Sequence, residues 1–218
     1  MISSELSLTL LINAIFFLIL LIANVVKNPD TKYNSVAKAE ITILGIAFTQ
    51  YAITFVMENS NVLEKDSQEF AQQIRYIDWL VTTPLLLYTY WKLSEVDGYK
   101  SDFTLLLVMD LVMIVSGILS EIFVNHKTWK YILYGIGMVA YGIIVWKIVE
   151  IMKYYNDNVD NPDIEKSESK MNLGYFFIFG WLIYPLGYFF SDNAKYLTYS
   201  FGDFINKGLY SLALNNVI

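Results

Sequence analysis

The chain has no cysteine, one histidine, one arginine and four prolines in 218 residues. Without cysteine there is no disulfide framework and no thiolate metal centre. His126 stands beside Lys127 in a polar stretch and reads as a solvated position. Charge is scarce as well. Asp, Glu, Lys and Arg make up 17% of the chain, where soluble domains carry about 25%. The formal net charge of −6 argues against a nucleic-acid partner, which calls for a basic patch.

Apolar sequence fills the space. Hydrophobic residues make up 56% and aromatics 17%, with a mean hydropathy of +0.43. Runs at 6–26, 37–57, 72–93, 103–124, 129–151, 173–191 and 196–217 each approach the ~20 residues that cross a bilayer. The expected fold is therefore an all-α membrane protein, a seven-transmembrane-helix bundle making one domain over 1–218. The first run carries Glu5 instead of a basic flank and is too long for a secretory signal, so it reads as a permanent helix.

Nine lysines (Lys27, Lys32, Lys38, Lys92, Lys100, Lys147, Lys153, Lys166 and Lys170) fall after the first, third and fifth runs. Four (Lys65, Lys127, Lys130 and Lys195) fall after the others. By the positive-inside rule the N-terminus lies outside and the C-terminus in the cytoplasm. The polar stretch from Lys153 to Lys170 reads as a mobile cytoplasmic loop. Pro84 and Pro185 lie inside apolar runs, where each should kink its helix.

Against this background the intramembrane charges carry the information. Asp203 and Lys207 are four apart in the last run and so share one helical face. An ionisable residue in hydrocarbon marks a functional site by default, and an amine is the group that forms an imine with an aldehyde. The third run adds Arg75 and Asp78, with Thr82 and Thr89 continuing the Asp78 face. Two carboxylates, one Arg and one Lys within the bilayer would form a buried cluster of nearly cancelling charge.

The blocks Arg75-Tyr76-Ile77-Asp78-Trp79-Leu80, Trp181-Leu182-Ile183-Tyr184-Pro185 and Asp203-Phe204-Ile205-Asn206-Lys207 resemble the third, sixth and seventh helices of the microbial (type 1) rhodopsins. The wording is nearest the proteorhodopsins, with a weaker likeness to the viral rhodopsins and viral channelrhodopsins. The resemblance implies a transporter in place of an enzyme, with all-trans retinal held as a covalent Schiff base on Lys207. It implies Asp78 as main counterion and proton acceptor, Asp203 as second carboxylate, and Tyr51 and Tyr184 as its supports. Trp79, Thr83, Leu86, Met113, Gly117, Trp181, Tyr184, Pro185 and Tyr188 match positions lining the chromophore, and Tyr134, Gly137, Met138 and Tyr141 are aligned there on helix five.

The family's pumps are sorted by three third-helix positions, which here read Asp78, Thr82 and Thr89. The acceptor carboxyl is present, whereas the cytoplasmic donor position holds Thr. Anchored on Gly45-Ile46-Ala47-Phe48, the resemblance implies that Glu40 on the second helix falls opposite Thr89, with carboxyl and hydroxyl exchanged between helices, so that Glu40 could resupply the proton. Glu40, Gln50, Thr54 and Glu58 also lie within about 80° of one another at about 100° per residue. With Ser7 and Asn13 on the first helix and Asn206 on the seventh, they would line a cation path.

The resulting expectation is a light-gated cation channel with a proton-transfer cycle. A light-driven outward proton pump with Glu40 as donor is the alternative, and a sensory photoreceptor ranks third because no transducer segment is seen. The implied partners are the lipid bilayer, cations or protons, and further copies in a homo-oligomer.

Overall fold

The computed structural model describes residues 4–27, 31–60, 67–100, 102–123, 125–162, 164 and 166–218. Five helices are continuous: α1 (Ser4–Val26), α2 (Asn34–Asn59), α3 (Ser67–Val96), α4 (Phe103–Ile122) and α5 (Lys127–Asp157). The remaining two rods are assembled from pieces. α6 comprises Ser167–Tyr175, a π-helical stretch Phe176–Gly180 and Ile183–Gly187, while α7 comprises Asp192–Asp203, a π-helical stretch Phe204–Leu209 and Tyr210–Asn215. No strand occurs among the described residues. The result is a seven-helix membrane bundle.

Periodicity explains how each rod is turned. On α1, Leu6, Leu10, Asn13, Phe17, Leu20 and Asn24 are buried at intervals of three or four, while Ile12, Ile15 and Ile19 face outward. The outward face is as apolar as the inward one because its solvent is hydrocarbon. By length and composition alone, α1, α2, α4 and α5 qualify as spans. The other three rods do not, for identifiable reasons. α3 carries Arg75, Asp78, Thr82 and Thr89 inward, and α6 and α7 are interrupted by π turns. Such turns free main-chain groups that must be satisfied inside the bundle.

In α6 the tyrosine hydroxyl of Tyr141 donates to Phe177 O at 3.3 Å and also to Ile178 O, and Asn206 Nδ2 donates to Gly180 O at 2.9 Å. Gly180 must lack a side chain, because a Cβ there would overlap the Asn206 amide. The helical assignment of α3 runs uninterrupted through Pro84, whereas Pro185 sits just beyond the break in α6.

The stretch expected as a mobile loop is different. α5 continues through Lys153 to Asp157, and α6 starts at Ser167, leaving a much shorter connection. Lys170 is buried: its ammonium pairs with Asp97 at the end of α3 and donates to the Tyr33 hydroxyl before α2 at 3.2 Å. Lys65 of the orientation count lies outside the described residues.

Removing one partner of a buried ion pair costs about 3–5 kcal/mol, whereas replacing both by apolar residues is often neutral. Asp97→Ala is therefore expected to lower unfolding stability by about that amount, and the double variant Asp97→Leu/Lys170→Met to recover most of it. Reversible denaturation in mixed detergent micelles measures both. Equal stability of Asp97→Ala and the unsubstituted protein would show that the pair does not hold α6 to α3.

Candidate functional site

The site is built around the amine of Lys207, on the π-helical stretch of α7. Lys207 is 1% exposed. Its Nζ pairs with Asp78 Oδ2 on α3 and lies 3.3 Å from Asp203 Oδ1, four residues earlier on its own helix. The carboxylates are held differently. Asp203 Oδ1 accepts from Trp79 Nε1 at 3.1 Å and from the Tyr184 hydroxyl at 2.9 Å, and Asp203 Oδ2 accepts from the Tyr51 hydroxyl at 2.9 Å. Asp78 has the lysine alone on one oxygen, and its buried Oδ1 has no partner.

The two carboxylates therefore differ: three donors are aimed at the lone pairs of Asp203, whereas Asp78 has one oxygen without a protein partner.

Arg75, fully buried, does not join the pair directly. Its NH1 donates to Tyr196 O at 3.3 Å, its NH2 to Ser200 Oγ at 3.1 Å, and its plane stacks 4.0 Å from the Tyr196 ring centroid. The four charges still balance, but the guanidinium is held one layer away on α7. At the start of α7, Lys195 pairs with Glu121 of α4 at 3.1 Å, a carboxylate that sequence reasoning did not single out.

Beside the amine lies a cavity whose walls are mostly aromatic. Trp79, Thr83, Met113, Gly117, Trp181, Tyr184, Pro185 and Tyr188 line it as expected, together with Tyr134, Gly137, Met138 and Tyr141 of α5. Tyr76, Ile114 and Tyr199 also line it and were missed. Tyr76 precedes Thr83 by two turns and Tyr199 precedes Asp203 by one, so their helical faces were readable. Leu86 is not part of the wall; it is buried in the core cluster containing Tyr90 and Trp181.

Trp79 and Tyr184 of the cavity wall donate to Asp203 Oδ1, which lies 3.3 Å from the Lys207 amine, and this links the amine to the cavity. A Cβ on Gly117 would meet nothing within 4 Å, so this glycine leaves room for a bulky group. A buried amine at the end of a flat aromatic slot fits a long apolar aldehyde.

Another acid inside the bilayer was overlooked. Asp110 is fully buried in α4 and shares a 2.9 Å hydrogen bond with Thr83 Oγ1, which also contacts Trp79 O at 2.8 Å. An isolated Asp amid the apolar run 103–124 was signal enough. Asp110 thereby links α4 to the residues on α3 that contact both the cavity and Asp203.

The sequence profile of the Bacteriorhodopsin-like protein family matches residues 3–218. The chain belongs to that family. It is 31% identical over 185 residues to the green-light absorbing proteorhodopsin of Gamma-proteobacterium EBAC31A08, covering 80% of this chain and 70% of the relative. The crystal structure of Exiguobacterium sibiricum rhodopsin superposes with a TM-score of 0.80 at 24% identity, over 98% of this chain and 95% of that one. The viral rhodopsin OLPVRII superposes with a TM-score of 0.74 at 16% identity, over 97% and 96%. These similarities make the protein an integral membrane rhodopsin with retinal as its chromophore, and the cavity and its buried amine fit that group.

The residues expected along an ion path are partly brought together. On the α1–α2 side, Ser7 Oγ and the Asn59 amide hydrogen-bond at 3.0–3.2 Å, near Glu58. Gln50 and Thr54 are buried with 3.5 Å between Nε2 and Oγ1, and Asn13 is buried on α1. Asn206 does not join them, because its amide is spent on Gly180 of α6. At the other end, Glu40 is fully buried and neither of its oxygens has a hydrogen-bond partner. It faces Ser211 and Tyr210 of α7, and the Tyr210 hydroxyl is 2.7 Å from Thr89 Oγ1. Asn24 Nδ2 donates to Ser211 Oγ at 3.3 Å, and Asn215 Nδ2 donates to Asn24 Oδ1 at 3.0 Å. Asn24, Ser211 and Asn215 extend the seam where sequence reasoning placed nothing.

Proposed function

We propose that this rhodopsin conducts cations across a membrane in response to light, with Lys207 as the retinal attachment, Asp78 as proton acceptor and Glu40 as cytoplasmic donor or gate. Retinal joined to Lys207 would supply a polyene double bond that isomerises in light and a protonated nitrogen at the Lys207 linkage. Asp78, paired with that nitrogen, would take the proton from it, while Asp203 stays held by Trp79, Tyr51 and Tyr184. Thr82, one turn above with its hydroxyl donating to Asp78 O at 2.9 Å, keeps that stretch of α3 in register. Arg75 holds the charge balance on the side of Ser200 and Tyr196.

The observation that carries the transport reading is Glu40. An acid fully buried between α2 and α7, with both oxygens unpartnered, is costly unless it has work to do. Thr89 stands where a donor carboxyl would be on α3, and Tyr210 connects it to the Glu40 side. The polar seam of Asn24, Ser211 and Asn215 favours the channel. An outward proton pump uses the same Glu40 as donor, and the lysine distribution supports placing this end in the cytoplasm.

Whole-cell patch clamp separates the two. A photocurrent that reverses with the imposed cation gradient is the expected result; a unidirectional current at every accessible voltage would remove the channel. Glu40→Gln is expected to slow recovery of the dark absorption after a flash by about 10²-fold, the ordinary contribution of one proton-transfer group. Unchanged recovery and unchanged current would make Glu40 a bystander.

A further inference from the structure

The widened turns of α6 and α7 are joined by one side chain. In α6 the main-chain bond from Trp181 N to Phe176 O at 3.1 Å spans five residues, and in α7 Tyr210 N reaches back five residues to Ile205 O. Gly180 lies within the first of these turns, Asn206 and Lys207 within the second. The carbonyl of Gly180 has lost its ladder partner. The N–H four residues on, that of Tyr184, is turned to Trp181 O at 3.3 Å, and the residue after it is Pro185, which has no N–H. Asn206 Nδ2 supplies the missing donor from the neighbouring helix at 2.9 Å. Only glycine permits this approach, because a Cβ at position 180 would overlap the amide.

Asn206 is 2% exposed, and its Oδ1 is buried without a hydrogen-bond partner. An apolar side chain would avoid that cost, so the Gly180 carbonyl is the group that favours an amide here. The next residue is Lys207, whose amine pairs with Asp78 of α3. Consecutive residues point about 100° apart around a helix, so pinning Asn206 to α6 sets where Lys207 points. We propose that Asn206 is a positioning residue for the light reaction: by holding Gly180 O it fixes the rotation of the widened turn of α7, and so aims the retinal-bearing nitrogen of Lys207 at Asp78. It acts through Lys207 and is not part of the cavity wall. The inference rests on Lys207 as the attachment and Asp78 as its counterion.

The bond itself is tested without the pigment. Gly180-Trp181 is the chain's single Gly-Trp pair, so carbonyl-¹³C glycine combined with ¹⁵N tryptophan isolates the Gly180 carbonyl in solid-state NMR of retinal-free protein in lipid. Asn206→Leu keeps the size of the side chain and removes the donor. In that variant the resonance is expected to move upfield, as a carbonyl does on losing a hydrogen bond. An unmoved resonance would overturn the proposal at its first step.

Positioning is read in the pigment by resonance Raman, from the downshift of the C=N stretch in D₂O, which grows with the hold on the nitrogen's proton. A smaller downshift is expected in Asn206→Leu. Gly180→Ala, which displaces the amide from the other helix, should reproduce it. A normal downshift in either variant that forms pigment, with the carbonyl moved, would reduce the bond to a contact between helices and overturn the proposal. Loss of pigment in both variants with helical content kept would also overturn it, because a misaimed amine still meets the aldehyde. Asp78→Asn separates the premise: a normal downshift there would overturn Asp78 as counterion and leave the carbonyl result standing.

Discussion

Protein carrying Lys207→Arg and supplied with all-trans retinal is expected to remain colourless, and Lys207→Ala likewise. The amine is the group that must condense with the aldehyde. Among the described residues it is the lysine in contact with both Asp78 and Asp203. Lys170, also buried, is engaged by Asp97 at the far end of α3. Alanine would leave two buried carboxylates unpaired, which destabilises by about 3–5 kcal/mol, so a colourless Lys207→Ala protein could simply be unfolded. Arginine keeps the positive charge between the carboxylates yet cannot form the bond. A helical circular-dichroism spectrum with no visible absorption is the expected outcome for that variant. A coloured, photoactive protein with either substitution would end the assignment of Lys207.

The second large effect belongs to Asp78. Asp78→Asn is expected to shift the absorption maximum to the red and to reduce light-driven current by at least about 10²-fold, the contribution of one well-placed proton acceptor. At the contact distance of an ion pair, the attraction is on the order of 4 kcal/mol for an effective dielectric of about 20. That attraction stabilises positive charge localised on the Lys207 nitrogen, and losing it narrows the gap to a state in which the charge is spread along the polyene.

Asp203→Asn should behave differently. Asp203 is the acceptor for Trp79, Tyr184 and Tyr51, so its loss disturbs the cavity wall and lowers pigment yield before any question of proton transfer. Visible spectra and flash-induced absorbance of the two variants measure this contrast. A normal spectrum and current in Asp78→Asn, with both lost in Asp203→Asn, would exchange their roles.

The same contrast shows how far residues alone could be read. Spacing of three, four or seven places groups on one face of one helix. Asp203 with Lys207 and Asp78 with Thr82 were legible in this way, whereas the α5 contribution to the cavity came from the family resemblance. Tyr76 and Tyr199 were equally legible and were passed over. Asp110 stood out as an acid in an apolar run, but its partner Thr83 is on another helix, and no spacing in the chain connects them.

By itself, the sequence determined the membrane class, the seven rods, the family and the amine with its two carboxylates, because hydrocarbon makes every intramembrane charge conspicuous. Only the tertiary structure decided which faces meet. It placed Arg75 on Tyr196 and Ser200, buried Lys170 against Asp97, moved Leu86 into the core and left Asp78 with an open oxygen. The π stretches are the clearest case. One extra residue in a turn rotates all that follows by about 100°, and within the α7 stretch Asn206 is turned to Gly180 of α6 and away from the α1–α2 side. Periodicity counts along a single axis, whereas contacts between helices depend on rotation, tilt and local unwinding, which are set by packing against residues far away in the chain.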